Sequence, residues 1–328
     1  MTISSATARA HANIALAKYW GKASLEHNTP AVPSISLTLD ALSTTTAVTF
    51  DSAMADDYVE VNGVLRSGEF RSRVCTMLDR IRLASGSSDR ARVTSSNDFP
   101  TASGLASSAS AFAALALASV KAAGLPWDSA RISDLARRSS ASAGRSIFGG
   151  FVRLRAGGTD DTFLAAEPLA PREHWDIDIV VAVVSEDPKK VGSTSCMIHT
   201  QNTSPYFEAW CGLCPVLASR IEHAIAHRDL DMLGQATEQS AFAMHASSMA
   251  AAPTVFYFEP ATVAVLQAVQ AMRRDGLCAY ATMDAGPHVK VITQAPHTEK
   301  VVARLMDVVG VRRTLISSLG GPAVVLSE

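Results

Sequence analysis

No apolar run in this chain is long enough to cross a bilayer. The best, Ala111 to Val120, falls well short of the roughly 20 residues a spanning helix needs. Met1 to Ala10 is polar and lacks the apolar segment of a secretion signal, so the expected setting is the cytoplasm, with no membrane partner. Cysteine is scarce and odd in number: Cys75, Cys196, Cys211, Cys214 and Cys278 suit reduced thiols better than a disulfide framework. Cys211 and Cys214 have the spacing of half a zinc site, but no second such pair exists and their Ala/Leu setting reads as structural helix. An excess of either charge is missing too. The 29 Lys and Arg against 31 Asp and Glu leave a net charge of −2, which gives no support for nucleic acid as a partner. If the ligand is anionic, the positive charge must be local. The two common nucleotide-loop patterns, Gly-x-x-x-x-Gly-Lys-Ser/Thr and Gly-x-Gly-x-x-Gly, are both absent. No internal repeat or low-complexity linker appears in the 328 residues, enough for two domains sharing an interface or one large domain.

What the chain does contain is a stretch of small residues from Pro100 to Ser110. It leaves a polar turn, Ser95 to Asp98, and passes into an Ala/Leu-rich helix, Ala109 to Val120. Gly104 lets a backbone approach a ligand without a Cβ in the way, and Ser107 or Ser108 is suited to cap the helix. Free amides, hydroxyls and the positive end of a helix together favour a polyphosphate; simple capping is the plainer alternative. A second such stretch, Ser139 to Ser146, carries Arg145 near its end and leads to a strand. That arginine either grips phosphate or carboxylate through two donors or is a surface residue on a tight connection. Lys18-Tyr19-Trp20-Gly21-Lys22 brings two cations and two aromatics to one turn. Asp284 stands where a strand opens into a glycine turn, as a turn former or as a carboxylate pointed into a cleft. His223 and His227 are four apart on one helix, but Ala224 stands where a zinc-protease helix carries its glutamate and no third ligand is evident, so they read as surface histidines.

The patterning predicts mixed α and β structure. Ser34 to Leu39 and Thr44 to Phe50 read as partner strands with a turn near Asp40, and Tyr58 to Val64 as a strand broken by an Asn62-Gly63 hairpin. Apolar residues at helical spacing predict helices over Phe70 to Leu83 and near Ser133 to Ser139. A short strand is expected at Arg92 to Thr94 and a buried one at Ile177 to Val184. A boundary at Ser185 to Pro188 divides the chain into 1–185 and 186–328. Beyond it the pattern is helical from Ser204 to Met249 and from Ala261 to Arg274. Strands at Ala279 to Met283 and Val289 to Thr293, a helix at His297 to Val309 and a strand at Ala323 to Leu326 follow.

Six runs, in order, then carry a family resemblance: Ala12 to Lys22, Ser34 to Leu39, Asn97 to Ser110, Ser142 to Phe151, Lys189 to Met197, and Met283 to Pro287. On these the chain resembles the mevalonate diphosphate decarboxylases of the GHMP kinase superfamily. The resemblance implies a two-lobed α+β fold, with an N-terminal lobe like ribosomal protein S5 domain 2, a ferredoxin-like C-terminal lobe, and the site between them. It also implies ATP and Mg2+, a phosphorylated mevalonate as substrate, and a homodimer. The implied reaction phosphorylates the 3-hydroxyl of mevalonate 5-diphosphate, then releases phosphate and carbon dioxide to leave isopentenyl diphosphate.

By the same resemblance Asp284 is the base or orients the 3-hydroxyl, and Arg145 holds the substrate carboxylate. Lys18 stands with the catalytic residues and Ser193 aligns the γ-phosphate. Tyr19, Lys22, Ser140 and Ser142 bind substrate. Asn97, Pro100, Ser103, Gly104, Leu105, Ala106, Ser107 and Ser108 surround the nucleotide phosphates. Three departures stand out. Gly144 replaces a common cysteine, His288 a common asparagine, and Thr194 a common arginine. The last opens two alternatives: a decarboxylase of mevalonate 5-phosphate, or a 3-kinase that does not decarboxylate. A more distant one is a non-catalytic nucleotide-binding protein.

Overall fold

The computed structural model describes residues 4–99, 107–186 and 192–327. Alanines at every second position, Ala6, Ala8 and Ala10, put a small buried face on the long strand Ser4–Ala17. That face lets the equally Ala-rich helix Ser107–Ala122 (α2) lie close against the sheet. The helices Gly68–Ser85 (α1) and Ser129–Ser139 (α3) pack beside it over one core that includes Met77, Phe112, Leu135 and Ile147. Asp128 caps α3 by accepting from the Arg131 amide, and Gly86 ends α1 in the left-handed conformation.

The larger sheet runs Val324–Ser327, Ser4–Ala17, Ser34–Asp51, Arg90–Asn97, Tyr58–Val61 and Val64–Leu65, with Phe151–Leu154 joined to the upstream half of Ser34–Asp51 and Glu167–Ala170 joined in turn to Phe151–Leu154. The expected turn near Asp40 does not occur. Ser34–Asp51 is one strand that changes partners midway: Ser34 to Leu37 pair with Phe151–Leu154, and Thr44 to Asp51 pair with Arg90–Asn97. Asp40 serves this crossing instead. Its Oδ1 accepts from the Ser317 hydroxyl at 2.8 Å and the Ser318 amide at 2.9 Å, so the distant tail supplies the partners a local turn would have provided. The hairpin at Asn62-Gly63 is present, with φ of 51° and 74° at its two central residues.

A second sheet, antiparallel throughout, has the order Tyr280–Met283, Val289–Thr293, Asp178–Val183 and Arg313–Ser317. The region from 193 to 249 forms three helices, Ser193–Thr203 (α4), Phe207–His227 (α5) and Leu230–Met249 (α6). Pro260–Arg274 (α7) and Ala295–Met306 (α8) cover the second sheet. The lobes interleave. Asp178–Val183 precedes residue 185 yet pairs in the second sheet, and Val324–Ser327 returns to the first. One core joins them: Ile14, Leu16 and Leu37 of the first sheet meet Ile221, Leu233, Ile179 and Ile292. No helix among the described residues is long and apolar enough to cross a membrane.

Candidate active site

Lys18 follows the first strand directly, where the chain turns inward under α6. Its amide donates to Ser240 Oγ at 2.9 Å and its ammonium to the Ala15 carbonyl at 2.8 Å. Asp284 follows the strand Tyr280–Met283, and the Gly286 amide closes a tight turn on the Asp284 carbonyl at 2.7 Å. The hairpin register puts Lys290 opposite Thr282, on the strand returning from that turn. Asp284 is thus clamped: Oδ1 lies 2.7 Å from Lys18 Nζ and Oδ2 3.1 Å from Lys290 Nζ. Burial alone would raise the Asp284 pKa, but the two ammonium groups hold it well below the usual carboxylate range. Burial lowers Lys18 to about 8 against the opposing pull of Asp284.

Arg145 comes from the 3₁₀ helix Ala141–Ile147 and is 2 % exposed. Of the five N–H donors of its guanidinium, three are taken: Nε by Ser36 Oγ at 2.9 Å, Nη1 by Ser34 Oγ at 2.7 Å and Nη2 by Asn13 Oδ1 at 3.3 Å. All three partners are neutral, and among the described residues no carboxylate pairs with it. Burial lowers its pKa to about 10. A buried cation without an acid is costly unless an anion comes to it. The Tyr19 hydroxyl beside it is buried with no hydrogen-bond partner among the described residues, and burial pushes its pKa up.

These groups open on one cavity of about 380 Å³. Six basic side chains line it, Lys18, Lys22, Arg73, Arg80, Arg138 and Arg145, against two acidic ones, Glu69 and Asp284. The whole chain is slightly acidic, so this is the local positive charge an anionic ligand requires. The charges fall into two groups. Lys18, Lys290, Arg145 and Asp284 act on one another at the reaction end. At the other end Lys22 feels Arg73 and Arg137, and Arg80 feels Arg138 and Arg137. Burial and those arginines lower Lys22 to about 8, and its ammonium donates to Asn28 Oδ1.

The cavity brings together Asp284, Arg145, Lys18, Tyr19, Lys22, Ser140, Ser142, Ser108 and, from the start of α4, Ser193 and Thr194. Ser140 Oγ lies 3.5 Å from Ser108 Oγ and 3.3 Å from Ser142 Oγ, a row of hydroxyls along one wall. Two expected residues stand apart from that wall. Asn97 ends its strand with Oδ1 accepting from Thr44 at 2.6 Å, and Ser107 opens α2 with its carbonyl accepting from Ser110. Pro100, Ser103, Gly104, Leu105 and Ala106 lie outside the described residues, as does Lys189. Cys211 and Cys214 are free thiols in α5, where His223 and His227 stack with ring centroids 4.0 Å apart. No group of three metal-ligating His, Cys, Asp or Glu occurs among the described residues.

Sequence reasoning missed Lys290, which sits in an apolar strand, and the Asn13, Ser34 and Ser36 set that holds Arg145. It also missed Arg73 and Arg80, although their spacing from Glu69 and Thr76 along α1 is that of one helix face.

Residues 10–165 match the diphosphomevalonate decarboxylase-like N-terminal domain, and residues 179–324 the mevalonate 5-diphosphate decarboxylase C-terminal domain. A diphosphomevalonate decarboxylase of Ganoderma lucidum is 35% identical over 326 residues, spanning 92% of this chain and 81% of its own. A structure of MDDEF in complex with MVAPP, AMPPCP and magnesium superposes with a TM-score of 0.93 at 36% identity, both chains covered in full. Mevalonate diphosphate decarboxylase from Staphylococcus aureus does so at 0.94 and 34%, over 99% of each chain. The two-lobed α+β architecture is accordingly the GHMP kinase fold. Matched in both halves and over nearly its whole length, the chain belongs to the diphosphomevalonate decarboxylase family.

Proposed function

We propose that this protein catalyses the ATP-dependent decarboxylation of mevalonate 5-diphosphate to isopentenyl diphosphate, ADP, phosphate and carbon dioxide. The observation that carries the reading is Arg145, a buried cation with only neutral partners, at the same end of the cavity as the lysine-clamped Asp284. Mevalonate 5-diphosphate has a carboxylate and a tertiary hydroxyl near C3 and its phosphates at the far end, the order of charges this two-ended cavity suits.

In that pose the hydroxyl lies at Asp284 and the carboxylate at Arg145. Asp284 is a weak base because two ammonium groups stabilise its anion, so it orients the hydroxyl and takes the proton late, as the new O–P bond forms. A loose phosphoryl-transfer transition state asks for no stronger base. The γ-phosphoryl group of ATP passes to the hydroxyl oxygen and ADP departs. The C3–O bond then breaks with its electron pair going to phosphate. The bond from the carboxylate carbon supplies the pair for the new double bond, and carbon dioxide leaves. Arg145, with one N–H still available on each terminal nitrogen, stabilises the carboxylate as an anion until C3 turns positive. Ser108, Ser140, Ser142 and Ser193 supply hydroxyls for phosphate oxygens. The cavity's sparse carboxylates, one of them already clamped, suit magnesium that arrives on the nucleotide and keeps its waters, with Ser108 and Ser193 beside it. Bound there, the ion would neutralise phosphate charge.

A second reading, decarboxylation of mevalonate 5-phosphate, is favoured by Thr194, which brings a hydroxyl and no charge to the cavity. The relative structure with MVAPP supports the diphosphate. We also infer a cytoplasmic homodimer with no nucleic-acid partner, and a division of the chain that falls before Asp178 rather than at the expected residue 185, since Asp178–Val183 already pairs in the second sheet. The deciding experiment follows ADP and carbon dioxide with ATP, magnesium and, separately, mevalonate, its 5-phosphate and its 5-diphosphate. Equal amounts of both products with the diphosphate support the first reading, and with the monophosphate alone the second. ADP without carbon dioxide would overturn both and leave a 3-kinase.

A further inference from the structure

Glu69, Arg73, Thr76 and Arg80 recur at intervals of four, three and four residues along α1, and all four face the cavity. Arg138 of α3 adjoins them. Most of the cations at this end are already engaged. Arg73 Nε donates to the Ser139 carbonyl at 3.0 Å, and its guanidinium lies 4.5 Å over the Phe112 ring. Arg138 pairs with Asp134 at 2.8 Å and donates to the Thr162 carbonyl. Lys22 is taken by Asn28. Arg80 makes no hydrogen bond and no ion pair with any described residue. It is half-buried, and burial together with the Arg138 charge lowers its pKa despite the opposing pull of Asp134, which Arg138 and Arg137 already share, so a further anion at this guanidinium would be favourable. Ser193 and Thr194 at the start of α4 also line the cavity and offer hydroxyls and no charge.

We propose that Arg80 is a specificity-determining residue that binds the terminal phosphate of the substrate, the position a diphosphate reaches and a monophosphate does not. This rests on the decarboxylase reading above. A planar guanidinium takes two phosphate oxygens through parallel donors, and Arg80 is the cation at this end with its donors uncommitted to other described residues. Arg138, held by Asp134, adds field without competing for the same oxygens. The nucleotide also carries phosphates, so the two sources need separate measurement.

Arg80→Gln and Arg80→Lys, each checked for folding by circular dichroism, are compared with the wild-type protein. Steady-state kinetics use mevalonate 5-diphosphate, the 5-phosphate and ATP, and inorganic pyrophosphate and orthophosphate are titrated calorimetrically. Arg80→Gln should lower kcat/KM for the diphosphate by roughly 10- to 100-fold, carried by KM, and shrink its preference over the monophosphate by the same factor. Pyrophosphate affinity should fall in parallel, the KM for ATP should hold, and Arg80→Lys should restore part of the loss. A rise in the ATP KM with the diphosphate KM unmoved would assign Arg80 to the nucleotide and overturn the proposal. So would the absence of any change. If the wild-type protein turns over no mevalonate phosphate, the decarboxylase reading falls, and the pyrophosphate titration still decides whether Arg80 holds a diphosphate.

Discussion

Asp284 is the residue through which the rest of the reaction end acts, because both of its oxygens are tied to buried lysines. Asp284→Asn keeps the shape and removes the charge. It should lower kcat by about 10²- to 10⁴-fold in the coupled ADP and carbon dioxide assay. It should also destabilise the protein at neutral pH by about 3 kcal/mol in denaturant titration, since two buried ammonium groups lose their counter-ion. Lys18 adds a pH signature. Its pKa falls from an ordinary 10.5 to about 8, so between those values the unfolded chain holds a proton that the folded chain has released. The Lys18 contribution to stability therefore rises with pH across that window and is flat below it. Activity runs the other way, because neutral Lys18 no longer pairs with Asp284. The profile of kcat/KM should bend downward near pH 8, and the bend should persist in Lys22→Arg, which removes the other lysine lowered to about 8.

The 3₁₀ helix Ala141–Ile147 sets where Arg145 points, and Gly144 sets how closely that helix sits on α3. A Cβ at Gly144 would lie 3.0 Å from the Ser133 carbonyl oxygen and 3.1 Å from Arg137 Cβ. The Ser133 hydroxyl in turn donates to the Gly144 carbonyl at 2.8 Å, closing the contact from both sides. The glycine found here in place of the family's common cysteine is thus matched to its surroundings. Gly144→Cys should cost about 1–3 kcal/mol by denaturant titration, as overpacking of a tight contact does. Elements like this were legible in outline only. The serines and the arginine announced a phosphate or carboxylate site, but nothing local shows how closely a backbone carbonyl of α3 approaches Gly144.

The site exists because helices of the second half reach across to the first strand. Trp210 Nε1 in α5 donates to the Trp20 carbonyl at 2.8 Å, two residues past Lys18, and Ser240 in α6 receives the Lys18 amide. Trp210→Phe removes the donor and leaves the Trp20 carbonyl unpaired. It should lower stability by about 1–3 kcal/mol in a denaturant titration, with a parallel fall in kcat/KM as the Lys18 segment loosens.

Local signals determined the parts: strands where small or apolar residues alternate, helices where they recur every three or four positions, and the separate presence of Lys18, Arg145 and Asp284. Those signals depend on neighbours a few residues away, which is why they survive in the linear chain. Only the tertiary structure decided that Lys18 and Lys290 clamp one carboxylate, that Arg145 is met by hydroxyls and an amide oxygen rather than an acid, and that Ser34–Asp51 runs through Asp40 without turning. Each depends on groups far apart in the chain and on the loss of water around them. Both come from packing rather than from any stretch of sequence.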